Sequence, residues 1–191
     1  MKSLKWMVLG MALAGASAVM AAEADRDEAA RNYFTDLEVI DQNGKRLRFY
    51  SDVLADRVVL VNVIYTNCQE ACPLITQLLL QTRAKLADAV TDDVWFVSVS
   101  TDPERDSPEA LKAFAKRQRV DESRWLFLTG TKENIDHILK KLRRQGQSIE
   151  AHSTQMLAGT TRERHEWIPL PAGIQPGAIA AVLRSLAERP G

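Results

Sequence analysis

The chain has 191 residues, with 25 basic and 25 acidic side chains, 3 histidines, 2 cysteines and a formal net charge of +0 at pH 7. No net field remains to attract nucleic acid or an anionic membrane, and the basic clusters Lys140 to Arg144 and Arg162 to Arg164 are short enough to be solvated faces. With no internal repeat, low-complexity stretch or interdomain linker, the length is that of one domain with a core of its own.

Residues 1–22 carry Lys2 and Lys5 and then an uncharged, mostly apolar run from Trp6 to Ala22, followed by an acidic stretch. This is the pattern of a secretory signal peptide, with small residues that suit cleavage after Ala18 or Ala21. Left uncut, it would be a marginal membrane anchor, since roughly 20 apolar residues are needed to cross a bilayer. The expectation is an exported, periplasmic or equivalent location, with membrane association only if the segment is retained. A flexible leader over 23–31 and a single domain over 32–191 are expected to follow. No apolar stripe is left over for a second copy, so a monomer is expected.

Within the domain, Leu37 to Ile40 and Leu47 to Phe49 flank Gln42-Asn43-Gly44, and the Asn-Gly pair predicts an N-terminal β-hairpin. Val58 to Tyr65 is a near-continuous apolar, β-branched run, which predicts a central strand buried on both faces. Pro73 then marks a helix entrance, where its missing N–H costs nothing, and Leu74, Leu78, Leu79 and Leu86 recur at helical spacing. Val94 to Val99 reads as a second strand, and Ser107-Pro108-Glu109 opens a helix carrying Leu111, Phe114 and Ala115. Trp125 to Leu128 repeats the strand pattern, and Thr131 caps a helix through Ile135, Ile138, Leu139 and Leu142. After Gly146 the chain turns polar; His152 to Leu157 and His165 to Ile168 are predicted as short strands around a turn at Gly159 to Arg164. A last helix over Gly177 to Ala187 follows Pro176. This alternation predicts a layered α/β sandwich, a mixed sheet flanked by helices.

Both cysteines fall in Thr66-Asn67-Cys68-Gln69-Glu70-Ala71-Cys72-Pro73, directly after the predicted central strand. The carboxyl ends of such strands are where open α/β sheets place their chemistry. A structural disulfide is the bland reading, yet a crosslink stabilises by constraining the unfolded chain, and a loop this short gains little from it. A helix entrance also favours a thiolate, here at Cys72, through its exposed N–H groups and dipole. Two functional readings therefore stand. In one, Cys68 and Cys72 cycle between dithiol and disulfide as a thiol-disulfide oxidoreductase, with Cys68 as the attacking thiol. In the other, two soft thiolates bind copper(I) with a third ligand from elsewhere; zinc is less well served, since its structural sites take four protein ligands. A peroxide-reducing site is a third class, which needs an arginine and a hydroxyl such as Thr66 beside Cys68.

Of the histidines, His137 turns away from its helix's apolar stripe and reads as solvated, and His165 reads as a turn or exposed strand edge. His152 stands where a strand begins, near the rim of the sheet, where a surface or capping histidine is the commoner case and a third ligand the alternative. Met156 has a copper-binding thioether, but its apolar surroundings make it a core residue.

The run Val63 to Pro73, the segment Val97 to Pro108 with its Asp102-Pro103-Glu104-Arg105-Asp106, and the later His152-Ser153 together resemble the Sco/SenC/PrrC proteins over nearly the whole domain. The resemblance implies a thioredoxin-like fold and export or membrane tethering. It also implies copper held by Cys68, Cys72 and His152, and a role as a metallochaperone in assembling a copper centre of cytochrome c oxidase, whose copper subunit would be the client. Some relatives are thought to act instead as reductases of a partner's cysteines. Gln69 and Glu70 stand where many relatives have proline and aspartate, and Ala151 where an aspartate commonly precedes the histidine. These departures touch the identity of the client and leave the fold alone.

Overall fold

The computed structural model describes residues 25–86, 93–144, 156–162 and 165–188. In chain order they form helix α1 (25–34), strands β1 (Glu38–Asp41) and β2 (Arg46–Arg48), a π-helical turn (Phe49–Leu54), β3 (Val58–Ile64), α2 (Ala71–Arg83), β4 (Val94–Ser100), α3 (Pro108–Arg117), β5 (Trp125–Thr129), α4 (Lys132–Arg144), β6 (Met156–Thr160), β7 (Trp167–Leu170) and α5 (Pro176–Glu188). The seven strands make one sheet in the order β2-β1-β5-β4-β3-β6-β7. Its centre, β3 beside β4 and β4 beside β5, is parallel, and every other pairing is antiparallel.

All of β3 is buried, as its unbroken apolar sequence requires. Side chains alternate across a strand, so Val58, Leu60 and Ile64 enter one core while Val59, Val61 and Val63 enter another. The first core is closed by α2, α3 and α5 and contains both cysteines. The second is closed by α1, the π-helical turn and α4. Asn62 shares the first face, where its carbonyl accepts from Ser98 Oγ (2.8 Å), which in turn accepts from Trp125 Nε1 (3.0 Å). A buried polar residue mid-strand is thereby satisfied.

Several expectations shift. The Asn43-Gly44 turn is shaped by Asp41, whose Oδ1 accepts from the backbone N–H groups of Asn43 (2.8 Å) and Lys45 (2.9 Å), and Gly44 takes the positive φ of 78°. Gln42 is a turn residue, as expected, yet it is buried, and its side-chain amide bonds to the β5 backbone: it accepts from Phe127 N (2.9 Å) and donates to Trp125 O (3.0 Å). On α2 the inward stripe is Cys72, Ile75, Thr76, Leu79 and Thr82, and Leu74 points outward with 70% of its surface exposed. Gly159 and Thr160 belong to β6 rather than to a turn. A Cβ on Gly159 would lie 2.2 Å from Trp167 Cε3, so the strand pairs there only because the residue has no side chain.

Residues 25–34, across the expected leader and the start of the domain, are helical and docked. Ala30 and Phe34 are buried, Tyr50 Oη donates to Asp27 Oδ1 (2.6 Å), and Phe34 packs on Trp167 at 4.9 Å between ring centres. No helix among the described residues is long and apolar enough to cross a membrane, and the expected signal segment, 1–22, lies outside them.

Candidate dithiol and metal site

The cysteine loop, residues 65–70, leaves the carboxyl end of β3 and is fixed from both sides. Thr101 N donates to Ile64 O (2.8 Å), which holds the end of β3 against the segment leaving β4. From that segment comes Asp106, whose carboxylate is only 1% exposed. Its Oδ1 accepts from Thr66 N (3.0 Å) and Thr66 Oγ1 (2.6 Å), and its Oδ2 accepts from Ser100 Oγ (2.5 Å). Charge-assisted bonds of this kind are among the stronger ones in a protein and make Asp106 the clamp on the loop. The Asp-Pro-Glu-Arg-Asp run is visible in the sequence, but nothing in its spacing separates a clamping carboxylate from solvated neighbours.

Beyond Thr66 the chain turns tightly, with Cys68 N donating to Tyr65 O (3.1 Å), and enters α2 at Ala71. Glu70, the residue that caps α2, makes no side-chain cap bond. Cys68 Sγ takes that role and accepts from Cys72 N at 3.1 Å. This exchange reverses the expected thiol asymmetry. The helix entrance acts on the Cys68 sulfur, which lies beyond its end, and Cys72 is drawn into the first turn and the core beneath.

Burial is the largest influence on Cys68 and opposes ionisation, but it is outweighed. Hydrogen bonds from Cys72, the Tyr65 hydroxyl and the Glu70 backbone hold the thiol below its ordinary value. The Tyr65 phenol, bonded to that sulfur, is raised in turn. Cys72 is pushed up to about 12, first by burial and then by its bond to Cys68. Both are free thiols, 8% and 5% exposed respectively.

A pocket of about 350 Å³ opens beside Cys68 between the loop and the last turn of α3, where it is bordered by Thr66, Arg117 and Gln118 among others. A hydroxyl and an arginine, which the peroxide-reducing reading needs, thus border the same pocket as Cys68. The proton of Thr66, however, is committed to Asp106.

The two cysteines are brought together; the third candidate ligand, His152, lies outside the described residues. His137 is exposed on α4, in line with the solvated reading. His165 stands at a turn, its N–H donating to Arg162 O (2.9 Å), and is half-buried rather than an exposed edge: burial pulls its imidazole below the ordinary value, and its Nδ1 is enclosed without a partner among the described residues. Met156 is 1% exposed in the core that also holds Cys68 and Cys72, as its apolar context predicts. Among the described residues no group of three or more His, Cys, Asp or Glu side chains could hold a metal ion. The donors present, two thiols on one turn, suit a soft ion and leave room for one further ligand.

A mixed sheet flanked by helices, with a dithiol loop between its central strand and the following helix, defines a thioredoxin-like fold. The chain belongs to the SCO1/SenC family, whose model matches residues 25–162. It is 39% identical over 90 residues to the SCO1 protein homolog of Bacillus subtilis, a match covering 47% of this chain and 45% of that protein. A second relative, the SCO2-like protein RC0895 of Rickettsia conorii, is 32% identical over 109 residues, covering 56% of this chain and 50% of that one. The chain thus spans about half the length of the curated relatives it matches. Among solved structures, a SCO1/SenC family lipoprotein from Bacillus anthracis superposes with a TM-score of 0.64 at 28% identity, covering 80% of this chain and 93% of that one. BsSco, a member of the Sco family of cytochrome c oxidase assembly proteins, gives 0.63 at 27% identity, covering 79% and 91%. Bradyrhizobium japonicum ScoI with copper bound shares the fold at 22% identity, with a TM-score of 0.61, covering 78% and 96%.

Proposed function

We propose that this protein is an exported metallochaperone that carries copper on Cys68, Cys72 and His152 and helps to assemble a copper centre of a respiratory oxidase. The observation that carries the reading is the hydrogen bond from Cys72 N to Cys68 Sγ at 3.1 Å, which sets two soft donors on one turn at the end of the central strand. Family membership adds to it, since ScoI of Bradyrhizobium japonicum is a copper-bound member and BsSco belongs to a family of cytochrome c oxidase assembly proteins. Topology supports His152 as the third ligand. Because β6 is antiparallel to β3, it starts at the edge of the sheet where β3 ends and the cysteine loop begins. His152 precedes Met156 by four residues, a distance of at most about 14 Å along the chain. Export rests on the apolar run of residues 1–22 and on the Bacillus anthracis relative being a lipoprotein.

Copper here is cargo. Loading it requires both thiols to lose protons, which is hardest at Cys72, so uptake weakens as pH falls. An open set of two sulfurs and one nitrogen lets a client's ligands take the ion by exchange.

A second reading is favoured by the thiol asymmetry. A Cys68 thiol held low and a Cys72 thiol held high are arranged as attacking and resolving groups of a reductase that acts on a partner's disulfide. Copper(I) stoichiometry and affinity, measured on the reduced protein and its His152→Ala variant alongside the rate of exchange with a peptide disulfide, separate the two. A carrier loses about 10-fold or more in copper affinity while its exchange rate holds. Copper binding unchanged by His152→Ala removes this ligand set and leaves the reductase.

A further inference from the structure

The pocket beside Cys68 is charged in one sense only. Its border includes the amides of Asn67 and Gln69, the Phe114 ring, and Arg117 and Gln118 at the end of α3, and no acidic side chain takes part. Arg117 is exposed, and among the described residues its guanidinium makes no ion pair; it lies over the Phe114 ring, 5.8 Å from the centroid. That ring is 1% exposed and sits edge-on to Phe127 at 6.1 Å, so the exposed guanidinium lies over a ring that belongs to the core. Gln118 is held: its Oε1 accepts from Gln77 Nε2 (3.4 Å), which leaves its own amide nitrogen as a donor. A guanidinium without an ion pair among the described residues, beside amide donors, suits a carboxylate, and this one borders the same pocket as Cys68.

A second feature adjoins it. Leu74, one residue past the Pro73 that borders the pocket, is the one large hydrophobic side chain strongly exposed among the described residues. A cation and amide donors in a pocket beside a thiol, with an exposed apolar side chain on the residue that follows Pro73 at its border, match a polypeptide better than an isolated small anion.

We propose that this pocket is the subsite by which the protein recognises its client: a segment carrying a cysteine with a neighbouring Asp or Glu, whose carboxylate docks on Arg117 while the client sulfur meets Cys68. The inference rests on the reading that Cys68 meets a protein client. Arg117 is a specificity residue here; it touches neither cargo nor reacting sulfur.

The test uses the reduced protein and two short peptides, identical except that a central S-methylcysteine, which cannot exchange, is flanked by Glu in one and Gln in the other. The Glu peptide should bind about three- to fivefold tighter at low salt and shift the Arg117 side-chain N–H resonance, and added salt should shrink the contrast. Arg117→Gln should abolish that preference, whereas Lys116→Gln, which removes the neighbouring exposed charge, should preserve it. Equal binding of the two peptides, or a preference lost as much with Lys116→Gln as with Arg117→Gln, overturns the subsite. Failure of the underlying reading registers separately, as wild-type protein that neither binds copper(I) nor exchanges with any peptide disulfide.

Discussion

Asp106 shows how much of the site depends on a residue that does no chemistry. Three donors, two from Thr66 and one from Ser100, converge on one buried carboxylate, with no cation among its hydrogen-bond donors. Removing the acceptor strands those donors in a dry site, which costs about 1–3 kcal/mol for a buried group left unsatisfied. Asp106→Ala should therefore lower stability by about 3 kcal/mol in urea denaturation, and Asp106→Asn, which keeps one acceptor oxygen, by less. The loop should loosen with it, so that the Thr66 amide exchanges faster with deuterium and Cys68 is alkylated faster by iodoacetamide. An Asp106→Ala protein of wild-type stability and unchanged Thr66 exchange would remove Asp106 as the clamp. Cys68 and Cys72 were legible as the reactive pair because they are the chain's only cysteines and follow its most apolar strand. Which of them is favoured as thiolate was not, because that depends on a sulfur standing in for the cap of α2, a matter of angle rather than spacing.

At the level of elements, periodicity carried furthest where a segment is buried on both faces or has a side-chain cap. β3, β4 and β5 fall within a residue or so of their apolar runs, and α3 and α4 begin where Ser107 and Thr131 accept from Ala110 N and Asn134 N, both at 3.2 Å. At the other edge glycine has a different use from the expected turn. Gly159 looked like a turn because glycine commonly makes one; here it is a gap that the Trp167 ring fills across the β6–β7 ladder. That ring also bears on Phe34 of α1, so one missing side chain connects the sheet edge to the N-terminal helix. Gly159→Ala should push the ring outward and cost about 1–3 kcal/mol, the usual range for overpacking. It should also speed proteolysis within residues 25–34, and pairing it with Trp167→Val should recover most of the loss. Were Gly159→Ala to keep wild-type stability and protease resistance, the ring would not depend on that gap.

For the molecule as a whole, the two thiols make opposite contributions to stability, and the ordinary thiol value of 9.0 divides them. Cys68 is held below that value in the folded chain, so its contribution is full above 9.0 and is lost as pH falls through the lowered folded value. Cys72 is held above it. Between 9.0 and about 12 the unfolded chain has released that proton while the folded chain keeps it, so the unfolded state binds fewer protons and stability falls as pH rises. The pair alone would therefore place the stability maximum of the reduced, metal-free protein near 9.0. Lysine and tyrosine side chains titrate in the same alkaline window, so the informative quantity is a difference between variants. Urea midpoints under reductant should decline more steeply from pH 9.0 to about 12 in the wild type than in Cys72→Ser, whose hydroxyl does not ionise there. On the acid side, Cys68→Ser should lose less stability than the wild type as pH drops from 9.0. Parallel alkaline declines in wild type and Cys72→Ser would mean that Cys72 ionises as readily folded as unfolded, and the buried, proton-retaining thiol at the start of α2 would have to be abandoned.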